Sequence, residues 1–343
     1  MNKTNLKALS GNEIKQYIEN IGLPSFRSRQ LIHWIYKRYA GTIEEITEFS
    51  DSMRRLLSET AYISNLDLID QQRSKDGTEK FLFKLDDGEM IESVLIPDRD
   101  RLTLCISSQV GCAMGCKFCL TGRIGLKRNL KAFEIVDQII AVSRLILPRR
   151  ITNIVLMGMG EPLANFDETV DALWRITELM GISKRRITLS TSGIVPALLE
   201  LPKKAPHINI AISLNATTDT VRSEIMPINR VYPLKMLLDA CRAYPLEPRR
   251  RITFEYILLD GINDSKDDAK RLVRLLKGIR CKVNLIPFNA YEGAGFKSPS
   301  EEKILTFQKI LIASGVTAII RKSKGQDIKA ACGQLRAGYI MNQ

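Results

Sequence analysis

The sequence has few aromatic residues, no long apolar run and almost no histidine. Aromatic residues make up only 6% of the chain, but Leu, Ile and Val are spread evenly along it, which excludes a disordered or low-complexity protein. No apolar run reaches the roughly 18 residues that a membrane helix needs. The N-terminal segment MNKTNLKALSGNEIK lacks the apolar core of a secretion signal. We therefore expect a cytoplasmic protein that has no membrane partner.

Acidic residues are outnumbered by basic ones. The chain has 51 Lys and Arg against 38 Asp and Glu, which gives a formal charge of +13. A basic surface of this size favours a polyanionic partner such as nucleic acid. An acidic membrane surface or a generic solubilising charge would explain the same excess. At 343 residues, the chain is long enough for one large core and an accessory domain.

Three of the seven cysteines stand close together. Cys112, Cys116 and Cys119 have C-x₃-C-x₂-C spacing in the run GCAMGCKFCLTG. Three thiolates can bind three irons of a [4Fe–4S] cluster, and the fourth iron is then open to a substrate or cofactor. Structural zinc sites usually take four ligands from paired C-x₂-C units. No second unit is present, and His33 and His207 are distant in sequence. We expect one redox-active cluster per chain, with zinc and a chance grouping as the alternatives.

Glycines surround these cysteines. They are Gly111, Gly115 and Gly122. Glycine tolerates positive φ angles, so we expect these residues to let the loop wrap closely around a cofactor.

Residues 1–72 are predicted to form a small helical accessory domain that binds RNA. Ser10 is a candidate N-cap for a helix over about 11–20, with Glu13 as its capping-box partner. In segment 26–38, apolar residues recur at helical intervals and basic residues lie between them. A face that is merely solvated is the alternative to RNA binding.

The remaining chain changes to a β and then a mixed α/β pattern. Residues 73–100 are predicted to form a β-hairpin extension, because the sequence alternates around a turn at Asp86-Asp87-Gly88. Over 101–343, short apolar strands alternate with amphipathic helices. The predicted strands are 101–107, 152–158, 186–190, 208–214, 251–259, 281–287 and 316–321, and the helices include 132–147, 166–180, 264–277 and 301–314. About six β–α units are too few for a closed eight-stranded barrel, so we predict an α/β fold with a partly open (β/α)6 barrel.

Polar and glycine-rich turns follow several predicted strands. Because ligands bind at the carboxyl ends of parallel strands, turns that fall in register there suggest one ring around one ligand. Singly, each of them is an ordinary turn. They are MGMGEP (157–162), STSG (190–193), Ser213-Leu214-Asn215 and Pro287-Phe288-Asn289.

Two further cysteines draw attention. Cys105 lies on the first predicted barrel strand, and Cys332 lies near the C-terminus in AACGQL, where the glycine that follows suggests a mobile or exposed loop. Isolated cysteines are by default small buried hydrophobic residues. Cys241 and Cys281 fall within helical or strand patterns, so we interpret them as structural.

These motifs together resemble the RlmN/Cfr family of the radical S-adenosylmethionine superfamily. The resemblance covers the chain from about residue 10 and rests on SSQVGCAMGCKFCLTG, MGMGEP, STSGIVPAL, FEYILLDGINDS, KVNLIPFN and AACGQL. It implies a radical SAM barrel and a methyltransferase that acts on an adenine of 23S rRNA and on tRNA. One branch of the family modifies carbon 2 and the other carbon 8; Val110 and Pro162 resemble the carbon-2 pattern. Asn215 departs from the family, which usually has histidine there.

The resemblance also implies residue roles. Cys112, Cys116 and Cys119 would hold the [4Fe–4S] cluster. Cys332 would carry a methyl group as S-methylcysteine, and Cys105 would release the product by forming a disulfide with Cys332. Glu92 would be the proton acceptor, although Cys105 is a second candidate and a surface strand carboxylate is the alternative. S-adenosylmethionine would be bound by Gly160, Glu161, Ser192, Ser213, Leu214, Asn215 and Asn289.

Partners follow from the same resemblance. The substrates would be 23S rRNA and tRNA, the electron donor a flavodoxin or ferredoxin, and the protein a monomer. Candidate RNA-binding basic patches are Arg123 with Lys127 and Arg128, Lys184-Arg185-Arg186, and Arg321-Lys322 with Lys324. Two other functions stay open here: a carbon-8 methyltransferase and a non-catalytic RNA-binding protein with a structural metal.

Overall fold

The N-terminal part of the chain is a small helical unit. The computed structural model describes residues 3–291 and 293–335, so the outermost ends of the proposed first and last domains lie outside the described residues. Ser10 caps the first helix, and its side chain and that of Glu13 form the predicted capping box. The elements are β1 (Thr4–Asn5), α1 (Gly11–Asn20), α2 (Phe26–Tyr36), α3 (Asp51–Thr60) and β2 (Ala61–Tyr62).

The predicted hairpin is confirmed, but it has a third strand. The chain forms β3 (Asp67–Arg73), β4 (Glu79–Lys84) and β5 (Met90–Asp98), all antiparallel. The helical prediction to about residue 70 is therefore wrong for β3. Every residue of β3 is exposed, so this edge strand lacks the buried apolar alternation that predicts a strand. Gly88 turns the hairpin at φ 88°.

The rest of the chain alternates strands and helices. The strands are β6 (Arg101–Ile106), β7 (Gln109–Gly111), β8 (Leu126–Asn129), β9 (Asn153–Leu156), β10 (Ile187–Thr191), β11 (Asn209–Ser213), β12 (Ile252–Leu258), β13 (Cys281–Pro287) and β14 (Ala318–Ile320). The helices are α4 (Leu120–Ile124), α5 (Ala132–Leu145), α6 (Phe166–Trp174), α7 (Val195–Lys204), α8 (Asp219–Ile225), α9 (Leu234–Ala243), α10 (Lys266–Leu276) and α11 (Glu301–Ala313). All seven predicted strands and four predicted helices are confirmed, with small differences at their ends.

One ten-stranded sheet joins the hairpin to the barrel. Its order is β14-β13-β12-β11-β10-β9-β6-β5-β4-β3. Within this sheet the strands β6 and β9 to β14 are parallel, whereas β5 runs antiparallel to β6 with Val94 opposite Cys105. The strands β7 and β8 form a separate antiparallel pair. The carboxyl ends of the parallel strands therefore meet at one edge, as the β–α alternation predicts.

One buried ion pair and one buried arginine attach the helical unit to this barrel. Lys7 bonds to Asp137 of α5 at 2.7 Å, and both side chains are buried. Arg175 bonds to Asp171 at 2.8 Å and donates to the carbonyl of Lys7 at 2.6 Å. Because one apolar core also runs from α1 and α2 into the barrel, the helical unit is packed on the barrel.

Candidate active site

The three clustered cysteines lie in a tight loop after β7. The amide of Cys112 donates to the carbonyl of Gly125 at 2.9 Å, and the amide of Cys119 donates to the carbonyl of Cys116 at 3.0 Å. Gly111 has φ 76°, and a Cβ there would lie 1.9 Å from the Gly125 carbonyl oxygen. This position therefore requires glycine both for its backbone conformation and for the close approach.

The other two glycines of the loop differ from each other. Gly115 has φ 62°, as predicted. Gly122 lies within α4 and does not have a positive φ, so the prediction is wrong for this residue. Glycine at this position instead allows close packing against the cysteine loop, because a Cβ there would lie 3.1 Å from the amide nitrogen of Cys116.

One cavity at the carboxyl ends of the strands collects the predicted motifs. It has a volume of about 150 Å³ and is lined by all three loop cysteines and by Cys332. Residues at the ends of β9, β10 and β11 complete the wall, together with one residue within β12 and one directly after β14. They include Gly158, Gly160, Glu161, Ser192, Ser213, Asn215, Glu255 and Arg321. The ring of strand ends that the sequence suggests therefore surrounds a single space.

The loop cysteines supply the three thiolate donors that an iron–sulfur cluster of this kind takes. Among residues 3–291 and 293–335, no three His, Cys, Asp or Glu side chains are arranged to hold one metal ion. In a [4Fe–4S] cluster each thiolate binds a different iron, so the sulfurs need not converge on one point. Burial raises the pKa of all three thiols, that of Cys112 to about 12. Their thiolates therefore need a compensating cation, which bound iron supplies.

Glu161 closes one side of the cavity. Its carboxylate accepts hydrogen bonds from the amides of Ser192, at 2.6 Å, and Leu163, at 3.0 Å. Burial raises the pKa of Glu161, and these hydrogen bonds oppose the rise. Gly160 has φ 104°, and a Cβ there would lie 2.6 Å from Gln109. The buried Ser192 hydroxyl has no hydrogen-bond partner, and a buried polar atom without one marks a place for a ligand or water.

The two residues that follow β11 lie in different places: Asn215 lines the cavity, and Leu214 packs in the core. Asn215 has φ 56°, accepts from the Ile257 amide at 2.9 Å and lies 3.3 Å from the Met226 sulfur through its Nδ2. Its side chain thus ties the end of β11 to β12 while lining the cavity. Leu214, by contrast, is fully buried in the main apolar core and is not among the cavity-lining residues.

Hydrogen bonds hold the Cys332 loop over the cavity. The amide of Leu120 donates to Gly333 at 2.7 Å, and the Thr121 hydroxyl donates to Leu335 at 2.7 Å. Asn289 donates to the Cys332 carbonyl at 3.3 Å, so its side chain holds this loop and does not line the cavity. Cys332 itself is half-buried, so the loop is not exposed there, and mobility of the loop stays a prediction.

Cys105 and Glu92 share one face of the sheet. Cys105 is buried opposite Val94, and Glu92 lies two residues from Val94 on β5. Burial raises the pKa of Cys105 to about 12, Cys332 adds to the rise, and Arg321 opposes it. Glu92 is buried and ion-paired with Lys80 at 3.3 Å, so the alternative of a surface carboxylate is wrong. Glu92 is not among the cavity-lining residues.

Arg222 is a functional candidate that the sequence analysis missed. It is fully buried on α8 and donates to the carbonyls of Ser192, at 2.7 Å, and Ser213, at 3.1 Å. It also donates to Leu214 and Asn229. One cation thereby fixes the ends of β10 and β11 beside the cavity. An arginine within an amphipathic helix is usually solvated, so the sequence carried no signal for this role.

The predicted basic patches do not form one surface. Arg128 is ion-paired with Asp87 and Glu134. Residues 184–186 precede β10 and so lie at the amino ends of the strands, opposite the cavity. Arg321 faces the cavity beside Cys332, whereas Lys322 is exposed.

Comparison with known proteins agrees with this geometry. Residues 106–276 match the radical SAM superfamily, and residues 4–63 match the ribosomal RNA large subunit methyltransferase N-terminal domain. The dual-specificity RNA methyltransferase RlmN of Geotalea uraniireducens is 53% identical over 98% of this chain and 97% of its own length. The RlmN protein of Geobacter sulfurreducens is also 53% identical, over 96% and 91%. The chain belongs to the RlmN family.

A solved structure shares this fold over most of the chain. A radical SAM methyltransferase from Sphaerobacter thermophilus is 44% identical and superposes with a TM-score of 0.93 over 97% of this chain and 99% of its own. The fold is thus the predicted partial radical SAM barrel. In the part of the chain that the structure describes, no helix is long and apolar enough to cross a bilayer.

Proposed function

We propose that this protein is a radical SAM methyltransferase that methylates carbon 2 of adenine in 23S rRNA and in tRNA. The observation that carries the proposal is that Cys332 lines the same cavity as Cys112, Cys116 and Cys119. A non-catalytic RNA-binding protein with a structural metal would not need a half-buried cysteine in that position. Membership of the RlmN family and the match of its N-terminal domain support the same assignment.

The chemistry of the target carbon explains why these groups belong together. Carbon 2 of adenine is electron-poor, so it does not attack the methyl group of a sulfonium as a nucleophile. When bound by the three loop cysteines, the [4Fe–4S] cluster would supply the electron that cleaves S-adenosylmethionine to a 5′-deoxyadenosyl radical. Cys332 would carry a methyl group, from which that radical would take one hydrogen atom. The methylene radical left on Cys332 would then add to the ring.

Other residues of the cavity would bind and orient S-adenosylmethionine. Glu161 and the carbonyl groups near Gly160 suit its ammonium group. The unpartnered Ser192 hydroxyl and Ser213 suit its carboxylate or ribose hydroxyls. Asn215 would act through its side-chain amide where the family usually has histidine. Asn289 would contribute by holding the Cys332 loop, and Leu214 only through the backbone at the end of β11.

Cys105 and Glu92 would complete the reaction. A methylene radical on Cys332 that adds to the base leaves the protein covalently joined to RNA. Cys105 would attack the Cys332 sulfur and release the methylated base as the disulfide forms. Both cysteines are free thiols in this structure, and Cys105 lies close enough to Cys332 for the two to interact electrostatically. Glu92, held by Lys80 on the same sheet face, is the proposed proton acceptor.

RNA and an electron donor are the proposed partners. The exposed residues Arg123, Lys127 and Lys322 lie on or next to segments that form the cavity, so they would contact RNA phosphates. Lys127 would exchange its ion pair with Glu89, and Arg123 its bond to the Gly293 carbonyl, for such contacts. The target base would have to be flipped out of its stack to reach Cys332. A flavodoxin or ferredoxin would supply electrons, and a reducing cytoplasm would keep the thiols and cluster intact.

The test is the identity of the methylated base. Cluster-loaded protein, S-adenosylmethionine and a reductant should convert adenosine of 23S rRNA and tRNA from a deletion strain to 2-methyladenosine, as resolved by mass spectrometry of nucleosides. Cys332→Ala should abolish methylation, and Cys105→Ala should trap a covalent RNA–protein adduct. Formation of 8-methyladenosine would instead assign the carbon-8 reaction. Absence of both iron–sulfur absorbance and S-adenosylmethionine cleavage would refute the enzyme assignment.

A further inference from the structure

A segment near the C-terminus connects the two edges of the ten-stranded sheet. It leaves the edge strand β14 at Arg321 and leads to Cys332 at the cavity. Before it reaches the cavity, it contacts the turn between β3 and β4, and β3 is the opposite edge of the sheet. Residues from both edges of the sheet therefore set the course of this segment.

Three hydrogen bonds hold the segment at that turn. The Asp327 carboxylate accepts from the Ser74 hydroxyl at 2.6 Å and from the Lys75 amide at 3.1 Å. In the opposite direction, the Gly325 amide donates to the Asp76 carboxylate at 3.0 Å. We call these three contacts the edge clamp. The bond from Ser74 lowers the pKa of Asp327, which favours the ionised carboxylate although Asp76 opposes this.

A hydrogen-bond relay connects the edge clamp to Cys332. Gln326 lies within the clamped residues 325–327, and its side-chain amide donates to the Asn289 side-chain oxygen at 2.9 Å. Asn289 in turn donates through its own side chain to the Cys332 carbonyl at 3.3 Å. Movement of residues 325–327 would therefore disturb a side chain that holds Cys332.

The backbone makes a second connection. The Ala330 amide donates to the Gly325 carbonyl at 2.8 Å, and Ala330 packs with Leu335 and Cys105 in one small apolar cluster. Cys332 lies between Ala330 and Leu335 in the chain. A short stretch that is held by a small cluster and single hydrogen bonds opens locally at low cost, so loss of the edge clamp should reach Cys332.

We propose that Ser74, Asp76 and Asp327 are positioning residues, which hold Cys332 at the cavity by clamping its segment to the turn between β3 and β4. This inference rests on the proposed function, in which Cys332 would meet S-adenosylmethionine and then the target base. None of the three is among the cavity-lining residues, so they would act only through the segment. Because misplacement of a reacting group slows a reaction more than it weakens binding elsewhere in the site, the clamp should affect rate and not cofactor affinity.

Hydrogen exchange tests the clamp directly. Asp327→Ala and Ser74→Ala each remove one side of it, and Asp327→Asn keeps one acceptor oxygen. Lys75→Ala is the matched control, because it changes an exposed side chain and keeps the amide that donates to Asp327. Exchange of cluster-loaded, full-length protein is followed by peptide mass spectrometry over residues 328–335.

Protection of residues 328–335 should fall about tenfold in both alanine variants, fall less in Asp327→Asn, and match wild type in Lys75→Ala. The double variant of Ser74 and Asp327 should lose less than the sum of the single losses, because the two residues act as one pair. Wild-type protection of this segment in Asp327→Ala would overturn the proposal. So would full additivity in the double variant.

Activity supplies the readout that separates positioning from general damage. In Asp327→Ala, the rate of 2-methyladenosine formation at saturating substrates should fall at least about tenfold, and S-adenosylmethionine affinity, measured by calorimetry, should match wild type. An affinity loss as large as the rate loss would also overturn the proposal, because the cavity itself would then be disturbed. Hydrogen exchange needs neither RNA nor reductant, so it is read independently of whether wild-type protein produces 2-methyladenosine.

Discussion

Gly111→Ala should prevent the cysteine loop from reaching the conformation that holds a cluster. The new Cβ would lie 1.9 Å from the Gly125 carbonyl oxygen, far inside the ~3.5 Å of an ordinary contact. Gly115→Ala is a control from the same loop, because Gly115 has φ 62° and a Cβ there would come no closer than 3.6 Å to Pro227, which is an ordinary contact. Both variants incur the left-handed backbone penalty of about 1–2 kcal/mol. Only Gly111→Ala also forces two backbone segments apart.

The difference between the two variants is the measurable quantity. Overpacking adds ~1–3 kcal/mol, and displacement of Gly125 breaks the Cys112 amide bond, worth about 1 kcal/mol. Gly111→Ala should therefore lower the free energy of unfolding by about 2–4 kcal/mol more than Gly115→Ala does. Urea unfolding measures this, and iron and sulfide content after anaerobic reconstitution should be lower in Gly111→Ala. Equal stability and equal iron content in the two variants would show that the loop does not depend on this close approach.

Two further predictions concern groups that hold the cavity together. Arg222→Met removes the donor for carbonyls at the ends of β10 and β11. We expect the free energy of unfolding, measured in urea, to fall by ~3–5 kcal/mol, and S-adenosylmethionine binding, measured by calorimetry, to weaken about tenfold. Unchanged binding would contradict the positioning role of Arg222. Partial burial raises the pKa of Asp76, but hydrogen bonds from Thr78 and the Gly325 amide outweigh this and hold the pKa at about 2. This stabilisation is complete above about pH 4 and is lost as the pH falls toward 2, so hydrogen exchange should show less protection of the Gly325 amide there. Asp76→Asn should show the same low protection at pH 6, and a pH-independent protection factor would argue against the clamp.

Local signals explain which parts of the fold could be predicted. The capping box at Ser10 and Glu13 and the turn at Gly88 depend on residues close in sequence, and both form as expected. The parallel strands are short apolar runs, which identify buried strands well. β3 was missed because its side chains are all exposed, and its strand conformation comes from pairing with β4.

Long-range contacts explain what sequence could not predict about the site. The motifs that follow the strands predicted a single cavity, because parallel strands place their carboxyl ends together. The roles of individual residues within the cavity could not be predicted from the sequence. Leu214 and Asn289 stand in the expected turns, yet one packs in the core and the other holds the Cys332 loop. The inward direction of Arg222 and Arg321 depends on α8 and β14 reaching the cavity from distant parts of the chain.

The register between β5 and β6 limits how this gene can change in length. Glu92 and Cys105 share a face only because Val94 is opposite Cys105 and Asp98 is opposite Arg101. An inserted or deleted codon between Glu92 and Asp98 would turn Glu92 to the opposite face of the sheet and leave Cys105 in place. Insertions of one codon should therefore be rare in this segment even where every individual side chain can be substituted, whereas the exposed strand β3 is free of that constraint.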